Sequence, residues 1–376
     1  MPPVTNHARR PAAPAAPLVF VPPKGRGTAW AIEHRFASER RESYDDGWGT
    51  LDQAAHEEQI APGTEVIQEQ VKSILTGNDS PDIGFDLSIN PYRGCEHGCI
   101  YCFARPTHSY LNMSPGIDFE TRIVAKVNAA ERLRETFAKP SYTPMALNVG
   151  SATDAYQPVE RRLRITRSIV EVLSECQHAF SLFTKSSGIE RDLDLIAPMA
   201  AKGLVAVYVS VTTLDPQLAR TMEPRAAAPY RRLKTIETLA KAGVPVGVSL
   251  SPMIPFLNLH DMERILEAAR DAGATAASSI VLRLPWEVSP LFQQWLKQHV
   301  PDRAERIMAR VREMRGGKDY DSTFGTRMTG TGVWAQMIRQ RFEKASEKLG
   351  FNRMRFDLDL TQFRRPSAQP GQASLF

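Results

Sequence analysis

The chain has 376 residues, 42% of them hydrophobic and 24% charged, which is the composition of a globular protein long enough to bury a large core. Its net charge of +5 is compatible with a nucleic-acid partner but does not require one. No apolar run reaches the roughly 18 residues that a membrane span needs, and no apolar signal core opens the chain. The four cysteines are too few for a disulfide framework, so we expect a protein of the reducing cytoplasm.

The pattern along the chain predicts one large domain with extensions at both ends. Residues 1–28 are rich in proline and alanine and lack periodicity, which predicts a disordered N-terminal arm. Residues 29–85 form an N-terminal extension that carries charges of both signs. We expect the core at residues 86–285, a helical extension at 286–352 and a flexible basic tail at 353–376.

The core opens with a short segment that holds three of the four cysteines in a C-x3-C-x2-C spacing: Cys95, Cys99 and Cys102. Three thiolates this close in sequence can hold one cubane-type metal cluster from one side. A [4Fe–4S] cluster normally takes four cysteines, and no fourth lies nearby, so one iron would be open for a substrate or a cofactor. The alternative from ligand count is a zinc site with His97 or His108 as the fourth ligand.

Tyr101 comes directly before the third cysteine, and the whole segment resembles the cluster loop of the radical S-adenosylmethionine (SAM) superfamily. The resemblance implies a [4Fe–4S] cluster held by Cys95, Cys99 and Cys102, with the open iron chelating the amino and carboxylate groups of SAM. It also implies reductive cleavage of SAM to a 5′-deoxyadenosyl radical and a place for Tyr101 near the adenine. An electron donor such as flavodoxin or ferredoxin is the expected partner.

Downstream of the cysteines, short apolar runs alternate with amphipathic segments. The predicted strands are residues 145–149, 179–184, 204–211, 244–250 and 276–284. The predicted helices are residues 120–139, 159–176, 189–202, 230–242, 261–272, 303–314 and 332–349. Repeated strand–helix alternation predicts parallel βαβ units and an α/β fold. The resemblance implies a partial (β/α)6 barrel of the TIM type, with the last two helices outside it and with disordered termini.

In such a barrel the working residues lie at the carboxyl ends of the strands. The second strand is followed by a polar G-x-x-T-D-x-Y-Q-P-x-E stretch that resembles the spore photoproduct lyase-like branch of the superfamily, often labelled DNA repair photolyases. The resemblance implies contacts with SAM by four residues of this stretch: Gly150, Ser151, Thr153 and Asp154. On propensity alone, a polar βα turn capped by Asp154 explains the same residues.

Three later strand ends complete the expected SAM site. Lys185 follows the third strand and is expected to hold the SAM carboxylate as a point charge, and a surface lysine is the alternative. Ser210 ends the fourth strand and is the expected contact of the ribose. Met253 follows the fifth strand, where the resemblance implies the adenine pocket and where a core residue is equally consistent.

One departure from the branch bears on the reaction. Spore photoproduct lyase carries a hydrogen-donor cysteine at the end of the second strand, where this sequence has Gly150 and Ser151. The remaining thiol, Cys176, falls at a helix end and is expected to be a buried structural residue. Repair of the spore thymine dimer by that same route is therefore not expected. A Glu-Pro-Arg segment at residues 223–225 also resembles the branch, but the residues alone do not indicate its role.

The chain ends in a Pro/Gly/Ser-rich tether that terminates in Leu-Phe, an unusual place for apolar residues. The spacing of Gln372, Leu375 and Phe376 resembles the Gln-x-x-Leu-Phe peptide by which bacterial repair proteins and polymerases dock on the sliding clamp. Two apolar anchors would fill a pocket while the glutamine satisfies polar groups at its rim. The alternative is a tail tucked against the domain.

Together these features predict a radical SAM enzyme that acts on damaged or modified DNA and is recruited by the sliding clamp. One alternative is the same chemistry on RNA, a peptide or a small metabolite. Another is a noncatalytic nucleic-acid-binding module that carries zinc or a cluster. The resemblance covers about Pro91 to Leu284, roughly half of the chain.

Overall fold

The computed structural model describes residues 24–37, 63–354 and 356–366. This part of the chain contains ten strands: β1 (Glu65–Glu69), β2 (Leu75–Gly77), β3 (Leu87–Ile89), β4 (Tyr92–Arg93), β5 (Arg122–Lys126), β6 (Leu147–Val149), β7 (Phe180–Thr184), β8 (Val205–Ser210), β9 (Val246–Met253) and β10 (Ala276–Val281). Seven of them form the main sheet in the order β10-β9-β8-β7-β6-β3-β2. From β3 to β10 the neighbours run parallel, while β2 pairs antiparallel with β3 at the edge.

Helices connect the parallel strands. In the same described ranges they are α1 (Asp118–Thr121), α2 (Ala129–Ala138), α3 (Glu160–Leu163), α4 (Ile165–Glu175), α5 (Leu193–Ala200), α6 (Pro216–Met222), α7 (Pro229–Lys241), α8 (Met262–Asp271), α9 (Val288–His299), α10 (Pro301–Glu313) and α11 (Gly332–Lys348). The parallel strands follow one another across the sheet in chain order, which confirms the predicted βαβ units and the α/β fold class. Because parallel strands all end at the same edge, the loops that follow them gather at one end of the sheet.

The burial of the strands in the core explains why apolar runs in the sequence predicted them. The consecutive residues Val205, Ala206 and Val207 of β8 are all buried, and so are residues 246–248 of β9. Strands of a parallel sheet that is covered on both faces become continuously apolar in this way. Among the described helices, none combines the length and the apolarity that a membrane crossing needs.

Residues 120–139 differ from the prediction of one helix. Residues 120–121 end α1 and residues 129–138 form α2, while residues 122–126 between them form β5, which pairs with β1 and β4 in a separate three-stranded sheet. Ile123, Val124 and Ala125 are buried on this small sheet. β-Branched residues that pack against neighbouring strands favour the extended form over the helix.

Two further helices depart from the sequence-based bounds. The predicted helix at 159–176 is interrupted at Arg164, whose φ of +54° ends α3 and starts α4. Helix α9 was not predicted, and it packs its apolar residues Phe292 and Trp295 into a second core cluster beside the sheet. That cluster also contains Cys99, so the C-terminal helices support the cysteine segment.

The predicted N-terminal arm ends earlier than expected. Residues 24–28 were included in it, yet Arg26 and Thr28 are buried against the core. Residues 1–23 lie outside the described part of the chain, and so does the predicted clamp peptide with Gln372, Leu375 and Phe376.

Candidate active site

The three neighbouring cysteines lie on a loop of residues 94–102, referred to below as the cysteine loop, between β4 and a 3₁₀ helix at Arg105–Leu111. All four cysteines of the chain are free thiols, and Cys95 and Cys99 are buried while Cys102 is partly exposed. Burial raises the pKa of the Cys99 thiol to about 12 and also raises the pKa of Cys95. Thiols in such a dry place ionise only beside a strong cation, and a bound metal centre is one.

The donor set fits a cluster better than a single ion. Among the described residues, no three His, Cys, Asp or Glu side chains converge on one point as a single metal ion requires. In a [4Fe–4S] cluster each cysteine ligates a separate iron, so the three sulfurs can stand further apart. Of the two histidines in the zinc alternative, His97 lies with Nδ1 3.3 Å from Asp154, and His108 bonds the Arg122 carbonyl through Nε2 at 3.1 Å, so both face partners outside the three thiols. The three thiols on one loop remain suited to a cluster.

Two glycines let the loop turn where side chains have no room. Gly94 has a φ of +81°, and a Cβ there would lie 2.8 Å from Cε1 of His108. Gly98 has a φ of +65°, and its Cβ would lie 2.7 Å from Oε2 of Glu120. Positive φ and close approach both require glycine.

A fully buried ion pair braces the loop from behind. Arg105 donates from Nε to the Cys99 carbonyl at 2.9 Å and from Nη2 to the Gly98 carbonyl at 3.1 Å. The same Nη2 pairs with Oε1 of Glu120 at 2.5 Å. Burial raises the pKa of Glu120, and the charge of Arg105 opposes that rise. The pair therefore fixes the backbone that carries Cys99.

The N-terminal segment 24–37 lies directly on the cysteine loop. The Gly27 amide donates to Oε2 of Glu120 at 2.8 Å, and Arg26 donates from Nη1 to the Glu120 carbonyl at 2.8 Å. A Cβ on Gly27 would lie 2.1 Å from the Gly98 carbonyl oxygen. Further along, the Ile117 amide donates to the Trp30 carbonyl at 3.1 Å. The segment thus closes the back of the loop.

The Glu-Pro-Arg segment at 223–225, whose role the sequence left open, docks on the other side of the loop. The Ile100 amide donates to the Met222 carbonyl at 3.0 Å, and the Arg225 amide donates to the His97 carbonyl at 3.3 Å. The Arg225 side chain pairs with Glu96 of the loop at 3.0 Å. This segment is therefore a positioning element.

Glu223 is the centre of a buried polar group around Tyr101. The Tyr101 hydroxyl donates to Glu223, and Arg232 pairs with the same carboxylate. Thr212 Oγ1 donates to it at 2.9 Å. Burial alone would raise the pKa of Glu223, but the charges of Arg232 and Lys185 outweigh burial and hold the pKa below its usual range.

Lys185 lies in the same group, at the end of β7 as predicted. Its Nζ is 5.8 Å from the centroid of the Tyr101 ring, a cation–π distance. Burial disfavours its charge, yet the neighbouring Cys99 and Glu223 outweigh burial and raise the pKa of Lys185. The structure therefore brings a charged lysine next to Cys99 and Tyr101, and the contact of Lys185 with SAM stays a prediction.

The polar turn after β6 is tied to β4 and to the residues just before it, which lead into the cysteine loop. Gly150 has a φ of +83°. Asn90 donates from Nδ2 to Ser151 Oγ at 3.0 Å and accepts at Oδ1 from the Ala152 amide at 2.8 Å. Thr153 Oγ1 donates to the Tyr92 carbonyl at 3.2 Å. Residues 150–153 and the cysteine loop are thus held side by side.

Asp154 connects three parts of the site through one carboxylate. It accepts from the Lys185 amide at 2.7 Å, from Thr184 Oγ1 at 2.8 Å and from the Tyr156 amide at 2.9 Å, and it lies 3.3 Å from Nδ1 of His97. Burial would raise the pKa of Asp154, but His97 and these donors lower it to about 2. Both oxygens of the Asp154 carboxylate therefore already accept hydrogen bonds from the protein.

The two remaining predicted contacts lie on neighbouring strands. Ser210 is buried at the end of β8, and its carbonyl accepts from Nη1 of Arg232 at 3.1 Å. Met253 ends β9 and is fully buried in the main core cluster, which is the core placement that the sequence left open. Cys176 is buried at the end of α4, where burial raises the pKa of its thiol to about 11.

Comparison with known proteins identifies this site by class. The family model of the radical SAM superfamily matches residues 89–269, a range that includes the cysteine loop and the strands from β4 to β9. The chain belongs to the radical SAM superfamily. Proteins of this family use a [4Fe–4S] cluster and SAM.

Particular relatives share most of this range. An uncharacterized protein of Mycobacterium tuberculosis is 36% identical over 232 residues, which cover 61% of this chain and 67% of the relative. An uncharacterized protein of Methanocaldococcus jannaschii is 25% identical over 243 residues, which cover 65% of this chain and 86% of the relative.

Among solved structures, a variant of spore photoproduct lyase is similar with a TM-score of 0.55 at 14% identity, over 76% of this chain and 80% of that chain. Spore photoproduct lyase complexed with dinucleoside spore photoproduct is similar with a TM-score of 0.53 at 13% identity, over the same shares. At these identities the likeness shows the fold alone, and it confirms the expected radical SAM architecture.

Proposed function

We propose that this chain is a radical SAM enzyme that acts on damaged or modified DNA and holds its cluster with Cys95, Cys99 and Cys102. The observation that carries the proposal is the set of three buried or half-buried thiols on one braced loop, with a charged lysine beside it. When bound, the cluster and SAM supply a one-electron cleavage that yields a 5′-deoxyadenosyl radical. The protein's part is to fix both cofactors and to keep water away from them.

The residues around the loop divide into contacts and supports. Lys185 offers its ammonium group to the SAM carboxylate, and Tyr101 offers its ring face to the adenine. Gly150, without a side chain, lets the amino end of SAM approach the backbone of residues 150–153. Ser210 offers its hydroxyl to the ribose.

Two predicted contacts take supporting roles in this proposal. The carboxylate of Asp154 is already filled by donors from the protein, so it orients the Lys185 backbone and the cysteine loop. Met253 is fully buried, so it packs beneath the pocket. Glu223 likewise acts through Tyr101 by holding the phenol in place.

The chemistry is tested by anaerobic reconstitution with iron and sulfide, followed by reduction with SAM and measurement of 5′-deoxyadenosine. We expect 5′-deoxyadenosine from the wild type and from Cys176→Ala, and none from Cys99→Ala. Cys176→Ala is the matched control because that thiol lies in the core, away from the loop. Equal yields from Cys99→Ala and the wild type would contradict the assignment of the loop.

The DNA substrate is supported by the G-x-x-T-D-x-Y-Q-P-x-E stretch and by the fold shared with an enzyme whose structure holds a dinucleoside spore photoproduct. The hydrogen-donor cysteine of that enzyme's branch has no counterpart at Gly150 and Ser151, so the lesion or the hydrogen donor differs. We expect ultraviolet-irradiated or alkylated DNA to raise the yield of 5′-deoxyadenosine above that with intact DNA. Stimulation by RNA, peptides or metabolites instead would assign the substrate to those classes.

Recruitment by the sliding clamp is a separate part of the proposal and is supported by the C-terminal sequence. Replacing Leu375 and Phe376 by alanine should abolish binding of the full chain to an immobilised bacterial clamp, while Ser374→Ala should leave it intact. Unchanged binding of the double variant would show that this peptide does not bind the clamp, and the proposed cleavage of SAM would be unaffected.

A further inference from the structure

Several exposed aromatic rings lie under arginines, and one of them, Phe103, directly follows the cysteine loop. Five of the exposed large hydrophobic residues are aromatic, are between 49% and 71% exposed and lie under an arginine: Phe36, Phe103, Tyr110, Trp286 and Phe324. We refer to these rings, with Arg35, Arg283 and Arg327, as the aromatic rim. Isolated exposed apolar residues are ordinary on protein surfaces, but rings grouped with arginines are not.

The rim lies at the end of the sheet where the active site is. Phe103 directly follows Cys102, and Arg283 of the segment after β10 lies over its ring at 5.3 Å. Arg35 of the N-terminal segment lies 4.5 Å from the Trp286 ring centroid and 5.3 Å from that of Tyr110. Two arginines thus join the cysteine loop and its 3₁₀ helix to the carboxyl end of the last strand.

One charge of the rim has no counter-ion among the described residues. Arg35 pairs with Glu287 at 3.1 Å and Arg327 with Asp82 at 2.7 Å. Arg283 donates only to neutral atoms, the Tyr320 hydroxyl at 3.3 Å and the Met328 sulfur at 3.4 Å, and its Nε has no partner there.

A second arginine, Arg315, adds positive charge next to Arg283. Arg315 is buried, and its Nη2 donates to the Leu282 carbonyl at 2.7 Å. Its Nε also lacks a partner among the described residues. Burial lowers the pKa of Arg315 to about 10, and the neighbouring charge of Arg283 adds to the effect. Asp321 partly offsets the charge of Arg315, whereas Arg283 has no carboxylate partner among the described residues, so an anion such as a phosphate is attracted to Arg283.

The backbone holds one ring in a costly conformation. Trp286 has a φ of +45°, although bulky residues rarely occupy the left-handed region. Its ring is nevertheless exposed, and it lies against the Arg35 guanidinium, which also contacts the rings of Phe36 and Tyr110. Such backbone strain at the edge of an active site is a sign of function.

Exposed ring faces, stacked guanidinium planes and an uncompensated charge match the chemistry of unpaired nucleobases joined by phosphates. Bases stack on aromatic and arginine planes regardless of their identity, and phosphates bind the free charge. Bases within a duplex present no faces, so the rim suits a single strand or a base turned out of its helix. Tyr, Trp and Arg are also enriched at protein interfaces, but the charge of Arg283 without a counter-ion beside the rings favours a polyanionic strand over a protein.

We propose that the aromatic rim binds single-stranded DNA, with bases stacked on rings that include Trp286 and Tyr110 and a phosphate held by Arg283. This proposal rests on the proposed function in that it presents the strand to the same site. Under this proposal the substrate is a nucleotide that is unpaired or turned out of its duplex.

The test is binding of fluorescently labelled oligothymidine to the full-length reconstituted protein, followed by anisotropy at several salt concentrations. Trp286→Ala and Tyr110→Ala should each weaken binding about tenfold, the loss expected of one base stack. Tyr230→Ala is the matched control, because Tyr230 is equally exposed and lies under no arginine among the described residues, and it should change affinity by less than about twofold. Arg283→Gln should lower the salt slope by about one unit, whereas Arg339→Gln on α11 should not.

Competitor strands separate the recognised features. An abasic strand of the same length and charge and a duplex of the same sequence should both bind more weakly than oligothymidine. Equal binding of the abasic strand, tighter binding of the duplex, tighter binding of oligouridine than of oligothymidine, or no binding at all would overturn the proposal. Because this assay needs no SAM cleavage, it is separable from the chemistry. Formation of 5′-deoxyadenosine without oligothymidine binding refutes the rim alone, and binding without 5′-deoxyadenosine refutes the enzyme alone.

Discussion

The cysteine loop and the aromatic rim occupy the same end of the sheet but are built in opposite ways. The loop is held by buried ion pairs, by backbone contacts from residues 24–37 and by glycines that admit no side chain. The rim consists of half-exposed rings with few direct bonds to the core. The difference suits two tasks, since a cluster and SAM must be fixed in place, whereas a strand must enter and leave.

The largest effect on stability is expected behind the loop. Arg105→Met would leave Glu120 buried without its partner and should lower the free energy of unfolding by about 3–5 kcal/mol. The exposed pair of Arg134 and Glu175 supplies the control, because Arg134→Met should cost less than about 1 kcal/mol. Denaturant unfolding of both variants without the cluster measures the contrast. Equal losses would show that the buried pair does not brace the loop.

A smaller loss of stability is expected where residues 24–37 cross the cysteine loop. Gly27→Ala places a Cβ 2.1 Å from the Gly98 carbonyl and must displace one of the two segments. We expect a cost of about 1–3 kcal/mol and faster loss of iron from the reconstituted protein. Gly77→Ala has nothing within 4 Å of its Cβ and is the matched control. Iron retention equal to that of Gly77→Ala would exclude residues 24–37 from the support of the site.

Acid should weaken the site through Asp154. Its pKa falls from 3.8 to about 2 in the folded protein, so its charge stabilises the fold above pH 4 and this contribution is lost as the pH falls toward 2. The lowered pKa corresponds to about 2 kcal/mol. The stability difference between the wild type and Asp154→Asn should therefore shrink as the pH falls from about 5 to 3. A constant difference over that range would mean that the carboxylate charge contributes nothing.

The smallest effect on stability is expected at the rim. Trp286→Gly removes an exposed ring and relieves a positive φ, so the free energy of unfolding should change by less than about 1 kcal/mol. A loss as large as that of Arg105→Met would mean that the ring belongs to the core, and the contrast between the two regions would fail.

Sequence patterns were sufficient for the five strands β6 to β10 of the main sheet and for the spacing of the three cysteines, but not for β1 to β5. Apolar runs such as that of β8 report burial on both faces, and the C-x3-C-x2-C spacing places three thiols on one turn. Residues 122–126 were assigned to a helix because helical segments lie close to β5 on both sides in the sequence. Helix α9 was missed because its first turn, with Ser289 and Pro290, resembles a loop.

The supports of the site could not be found in the same way. Arg105 and Glu120 look like surface charges in sequence, and only the fold shows that both are buried. The Glu-Pro-Arg segment at 223–225 lies more than a hundred residues from the loop it holds. The residues of the aromatic rim are spread still further along the chain, from Phe36 to Phe324, so no local sequence pattern predicts the rim. Sequence spacing identifies groups that act from one loop, while groups assembled from distant segments require the fold.

The proposed arrangement at the cysteine loop has three cysteines that hold a cluster with one iron open to SAM. It is tested most directly by the electron paramagnetic resonance spectrum of the reduced, reconstituted protein, recorded with and without SAM alongside its iron content. We expect roughly four irons per chain and a spectrum that SAM changes in the wild type and in Cys176→Ala, with the signal lost in Cys95→Ala. A single metal ion per chain, or a cluster spectrum indifferent to SAM, would contradict it.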